Sequence, residues 1–226
     1  MRKPTEYIKE SINIFKEKEN FIFFAKVMAV LVLVSTSFAY LFSYFFPKDS
    51  LDKFSSGDFS NINMLIIYVL LMIASVFISI WWNSSLYSAI VSYEKRDIKA
   101  VFVNGYKNMG KYFLVSLLSG LAVFGGFILL IVPGIIFAIW FANSLFFVYD
   151  KKLGVIASMK ESKRIIKGHA WKYLGTSFVI GMFALIISVA ISIIPYLGQF
   201  LVSFLTPLFI LSYYLIYRDL ATVSRS

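Results

Sequence analysis

The sequence predicts an all-α polytopic membrane protein, a helix bundle of six transmembrane helices in three hairpins with three interfacial amphipathic helices at one surface of the bilayer. Three observations lead there. Of 226 residues, 59% are hydrophobic and 15% charged, and the mean hydropathy is +0.79; so large a surplus of apolar surface needs lipid, because a soluble core cannot hold it. The apolar residues gather into six runs instead of spreading along the chain. Lysine and arginine fall almost entirely in alternate connections between those runs.

The runs are Phe21 to Phe46, Met64 to Val91, Tyr112 to Val132, Gly134 to Val148, Trp171 to Ile194 and Phe200 to Tyr217. Crossing a hydrocarbon core takes ~20 apolar helical residues. Four runs reach that length, Phe200 to Tyr217 is marginal, and Gly134 to Val148 is short at fifteen residues. Pro133-Gly134 removes a backbone donor and frees φ just ahead of the short run, so a tight hairpin turn is expected there. Pro195-Tyr196-Leu197-Gly198 reads as the matching turn between the last two runs, and Pro207 as a bend in the final helix. The first hairpin has a long polar link, Pro47 to Asn63, containing Ser55-Ser56-Gly57-Asp58. Ser37-Phe38-Ala39 loosely resembles a signal-peptide cleavage site, but four glutamates precede the first run where a signal peptide carries a short basic segment, so an anchored helix fits better.

Cytoplasmic connections collect lysine and arginine. Five lie in residues 1–20, five between Tyr93 and Lys111, seven between Lys151 and Lys172, and two after Tyr217, against only Lys48 and Lys53 opposite. Lys26 sits just inside the first run, where its stem can snorkel to the head groups. The expected location is therefore the cytoplasmic membrane of a prokaryotic cell, with both termini cytoplasmic. The net charge of +10 then hugs the membrane, where anionic lipid is the available partner and nucleic acid is not.

The basic connectors carry apolar stripes at i, i+4, i+7 and i+11, each with a small residue third: Pro4, Ile8, Ser11, Phe15; Ile98, Phe102, Gly105, Met109; and Val155, Met159, Ser162, Ile166. Lys160, Lys163, Arg164 and Lys167 lie beside the third stripe, as on a helix resting in the interface with cations toward phosphates. Shared letters, Lys9-Glu10-Ser11 with Lys160-Glu161-Ser162 and Asn83-Ser84 with Asn143-Ser144, hint at three repeats at 4–92, 94–149 and 150–218 within a single membrane domain, 1–226. Helical periodicity alone yields such stripes as well.

Pro133-Gly134, Asp150, Gly154, Ala157, Ser162, Lys167-Gly168 and Trp171 give the stretch from about Leu130 to Gly175 an order and spacing that resembles the membrane-domain family named after glycerophosphoryl diester phosphodiesterase, and related uncharacterised six-helix families. The resemblance implies a six-helix membrane domain. In that family the phosphodiesterase chemistry belongs to a separate soluble barrel, so no activity is implied for these residues. Many relatives carry an arginine in the helix after the Pro-Gly turn, where this chain has Trp140, Phe141 and Asn143.

Catalysis needs facing titratable groups in a protected site, and no run contains an aspartate or glutamate. With no cysteine and His169 the lone histidine, no metal, cofactor or catalytic residue is expected, and His169 is expected to pack at the interface. Asn83 and Asn143 read as the most buried polar side chains, cross-helix glue more often than gates; Ser116 with Gly120 and Ser177 with Gly181 offer close packing. The expected protein is a non-enzymatic one that organises anionic lipid or a membrane protein partner through its basic helices. A permease or accessory subunit of a transporter is the alternative, expected to show a water-accessible cavity touching Asn83 and Asn143. An enzyme acting with an external catalytic partner has no residue here to nominate.

Overall fold

A computed structural model describes residues 1–45, 62–194 and 197–223. The chain folds into α1 (Pro4–Lys16), α2 (Lys18–Phe45), α3 (Ile62–Val91), α4 (Ile98–Leu129), α5 (Ile131–Phe141), α6 (Ser144–Asp150), α7 (Val155–Ile166), α8 (Ala170–Ser192) and α9 (Leu197–Val223). A single 3-10 turn, Tyr93–Lys95, joins α3 to α4. No strand occurs among the described residues. Six stretches are long and apolar enough to cross a bilayer: Lys18–Phe45, Leu65–Val91, Ile98–Leu129, Ile131–Asp150, Ala170–Ser192 and Phe200–Thr222. The chain is a multi-pass membrane protein. The polar link of the first hairpin, with Lys48 and Lys53, and Pro195-Tyr196 of the last lie outside the described residues.

Three features depart from the sequence expectation. The second connector is no separate helix: Ile98, Phe102, Gly105 and Met109 form the first three turns of α4, which runs unbroken to Leu129. Asp97 starts it by accepting a hydrogen bond from the Ala100 amide at 3.0 Å, and Gly105 and Gly110, each costing about 1 kcal/mol relative to alanine, do not stop it. The tight turn is at Leu130, in an extended conformation (φ −166°, ψ 158°), not at Pro133-Gly134. Pro133 is third in α5, where a helix amide has no intrahelical acceptor and a missing N–H costs nothing. Gly134 instead lets two helices meet, since a Cβ on Gly126 of α4 would stand 2.8 Å from the Gly134 Cα. Lastly, the short fourth run reaches spanning length as a broken pair, α5 and α6, interrupted at Ala142 and Asn143.

The core sits toward the end of the bundle that carries both chain ends. Buried residues of α2 lie between Asn20 and Leu31, while Leu33, Tyr40, Tyr44, Leu70 and Phe77, farther along α2 and α3, are exposed. Aromatic rings fill the packed end: Phe146 lies against Tyr87, Tyr214 and Tyr217, and Phe147 stands edge-on to Tyr217 at 5.0 Å. Between lipid-facing helices packing and hydrogen bonds supply the adhesion. Burial of a large apolar side chain away from water adds about 1.5 to 3 kcal/mol. Tyr7 and Phe15 of α1, and Ile165 and Ile166 of α7, are such residues.

All three stripes turn inward, and the small residue of each meets a polar residue of a different span. Ser11 of α1 shares a 2.7 Å hydrogen bond with Ser212 of α9. Gly105 accepts one from Ser84 of α3 at 2.5 Å. Ser162 of α7 accepts from the Asn143 amide at 3.1 Å and donates to the Trp140 carbonyl at 2.6 Å. The first connector thus joins the last span, bringing the two ends of the chain together. Arg2 Nε donates to Asp219 Oδ2 at 2.9 Å and the Tyr7 hydroxyl to the same oxygen at 2.7 Å.

Candidate functional site

The candidate site is built around α7 and the broken span above it. α7 starts after Gly154, in an extended conformation, and ends at Ile166; Gly168 follows with a φ of +88° that favours glycine because other L-residues clash there. Its buried face of Ser158, Met159, Ser162, Ile165 and Ile166 lies under α5 and α6. A break inside a span exposes backbone groups that lipid cannot satisfy. Ser162 answers this by taking the Asn143 N–H and giving its own proton to Trp140, so α7 is fastened to the break.

The opposite face of α7 carries the four predicted cations, all exposed, and the structure divides them. Lys160 and Arg164 line a pocket of about 490 Å³ together with Lys151, over a floor of Phe147, Leu153 and Ile165. Lys163 instead lies over the Trp140 ring, 3.8 Å from its centroid, a cation–π contact directed away from that pocket. Lys167 follows the last turn of α7 and does not line it either. Within the pocket Arg164 Nε pairs with Glu161 at 2.8 Å, while Lys151 pairs with Asp150, which lies outside it, at 2.8 Å. Lys160 has no carboxylate at ion-pair distance among the described residues. Three cations against two carboxylates leave a positive excess beside apolar side chains.

A second, more polar pocket of about 320 Å³ adjoins the first across Lys151 and is lined by Asp150, Tyr217, Arg218 and Glu94. The Tyr217 hydroxyl donates to Asp150 Oδ2 at 2.6 Å, and Arg218 pairs with Glu94 at 3.3 Å. Burial, and then the charge of Glu94, push the neighbouring Tyr93 hydroxyl above its ordinary range. Sequence reasoning passed over Lys151, Asp150 and Arg218 as sites. The cue for them was the cluster of charged residues that closes the fourth span, next to the polar end of the sixth.

The two asparagines do not share a site. Asn83 was expected to be buried and is exposed on the outer surface of α3, where its Nδ2 donates back to the Ser79 carbonyl at 2.9 Å. That bond satisfies the exposed amide locally, so burial is unnecessary. Asn143 is fully buried, and both polar atoms of its side chain lack hydrogen-bond partners. Ser116 and Gly120 also face outward, with nothing within 4 Å of a Cβ on Gly120. Gly181 makes only an ordinary 3.5 Å approach to the Tyr213 hydroxyl. The buried amide that does act as glue is Asn20, which donates to the Ile14 carbonyl at 3.0 Å and accepts from Arg96 at 3.0 Å. His169 precedes α8, its Nδ1 buried without a hydrogen bond.

Between the spans lies a third space of about 430 Å³, open at the side of the bundle and bounded by Phe127, Ile139, Leu174 and Ile210 and by the tyrosines Tyr87, Tyr173 and Tyr213. It is apolar and bears no charged side chain on its walls. Neither Asn83 nor Asn143 lines it, which separates it from the cavity expected of a permease. The chain is matched by no family model, by no curated protein and by no solved structure.

Proposed function

We propose that this is a non-enzymatic membrane protein that binds anionic lipid at the pocket formed by Lys151, Lys160 and Arg164. The observation that carries the reading is the convergence of these three cations over the apolar floor of Phe147, Leu153 and Ile165. A phosphate head group calls for the cations, and the acyl chains that follow it for the apolar side chains. The distribution of lysine and arginine supports a cytoplasmic location for this end of the bundle and for both termini, with α1 and α7 along the interface. The contacts of Ser11, Gly105 and Ser162 with the sixth, second and fourth spans respectively support the threefold division at 4–92, 94–149 and 150–218. The order of residues from Leu130 to Gly175 supports kinship with the membrane domain of the phosphodiesterase family, with Ser162 and Gly168 among the positions that have a structural part here.

The test is native mass spectrometry of the protein reconstituted with phosphatidylglycerol and phosphatidylcholine. Each cation near an anionic head group contributes about 1 kcal/mol, so K160Q/R164Q is expected to lower the preference for phosphatidylglycerol roughly thirtyfold. K163Q/K167Q, which leaves the pocket intact, is expected to change it far less. Equal preference in the wild type and K160Q/R164Q rejects the reading. The alternative of a permease or accessory subunit draws on the broken fourth span, and a stoichiometric protein partner in the same spectra would favour it.

A further inference from the structure

We propose that this laterally open cavity between the spans is a binding site for a neutral, single-chain lipid with a hydroxyl at one end. The cavity's two ends differ. Phe127 of α4 and Ile135 of α5 lie close to the Leu130 turn, at the far end of the bundle. Tyr87, Tyr173 and Phe146 lie near the ends of their helices where the chain termini meet. From Ile135 to Phe146 the chain descends roughly 16 Å at the helical rise of 1.5 Å per residue. A single extended chain of about a dozen carbons spans that distance.

Polar groups collect at the inner part of the cavity. The Ser177 hydroxyl lines the space and is buried with no hydrogen-bond partner. Tyr213, which also lines it, donates its hydroxyl proton to the Ser177 carbonyl at 3.2 Å. The Tyr173 hydroxyl lies close to both Ser177 and the Asn143 side chain, and the Asn143 side-chain amide is fully buried with no hydrogen-bond partner. Unpaired groups of this kind cost free energy in a low-dielectric interior. A ligand hydroxyl, both donor and acceptor, would complete the set through Ser177 and Tyr173. No wall residue is charged, so a phosphate head group is excluded from the space on desolvation grounds. Entry is lateral: Ile135 and Ala138 of α5, and Ala142 just past its end, all line the cavity and are all exposed, at spacings that place them on one face. The two alanines leave a gap in that wall.

The probe is a twelve-carbon alcohol carrying a photoreactive diazirine, applied to the purified full-length protein in detergent, with labelled peptides mapped. The expected result is labelling within 135–142 and 173–177, displaced by 1-dodecanol at least tenfold more effectively than by dodecane. Ser177→Ala, a small change compatible with folding, is expected to weaken displacement by dodecanol about tenfold, and Ala138→Phe to remove labelling of both segments. K160Q/R164Q is expected to leave the labelling unchanged, whatever it does to phosphatidylglycerol. Three outcomes overturn the proposal: labelling spread over lipid-facing residues such as Phe178 and Leu185, equal displacement by alcohol and alkane, or loss of labelling in K160Q/R164Q, which would make the occupant a chain of the anionic lipid.

Discussion

Single atoms decide how closely these helices approach. At Gly126 an added Cβ would meet the backbone of Gly134, and backbone cannot move aside as the end of a side chain can. Gly126→Leu is therefore expected to lower stability by about 1 to 3 kcal/mol through overpacking of α4 on α5. Gly120→Ala, with open space around it, is expected to hold or slightly raise it. Thermal unfolding in detergent compares the two, and similar midpoints would mean that the close contact does not matter. Both glycines sit in one apolar run, and nothing in the sequence distinguishes them. Proline misleads for a related reason. Pro133 marks the neighbourhood of a turn, but a proline within the first turn of a helix is harmless, so the break lies three residues earlier, at Leu130.

Whole elements depend on contacts made far along the chain. The fourth span breaks at Asn143, and its freed amide is bound by Ser162, nineteen residues onward. Ser162→Ala leaves that amide and the Trp140 carbonyl unpaired, a loss of about 1 to 3 kcal/mol. Hydrogen exchange at 143–146 is expected to quicken by about tenfold or more. Ser158→Ala removes only a bond to the carbonyl of Val155 in its own helix and is expected to leave those amides nearly unchanged; the same acceleration in both variants would separate the break from Ser162. The stripes along α1 and α7 were legible because one side of each helix is exposed and the other packs on the bundle, which imposes a helical period on the sequence. The facing of the spans was not legible. A helix apolar all round carries little record of which side meets protein, so Asn83 and Asn143 look alike in sequence and lie in opposite environments.

At the scale of the molecule, α1 closes the bundle by joining the start of the chain to its last helix. Asp219 accepts from both Arg2 and Tyr7, and Ser11 behind them is fully buried. The chain has no cysteine, so Ser11→Cys supplies a single thiol for maleimide labelling. Adding Asp219→Ala is expected to loosen α1 by about 1 to 2 kcal/mol, a five- to thirtyfold faster labelling. An unchanged rate would place the hold on α1 elsewhere. The Tyr7 hydroxyl, raised by burial and by its bond to Asp219 from 10.0 to about 12, adds a pH dependence. Its contribution is complete below pH 10 and declines as pH rises from 10 toward 12, because undocked Tyr7 gives up its proton first. The same reporter should label faster across that interval at matched maleimide reactivity.

The sequence by itself determined that the chain crosses a membrane, roughly where it crosses, and which connections hold the cations. Those properties follow from summed transfer free energies along local stretches, and a summed local quantity needs no knowledge of neighbours. Tertiary structure decided which cations meet, setting Lys160 and Arg164 beside Lys151 and sending Lys163 to Trp140. It also decided where the fourth span breaks and what space opens between the spans. Each of these depends on pairing between distant segments, and within an apolar run many pairings satisfy the same hydropathy while differing in side-chain shape and hydrogen bonding.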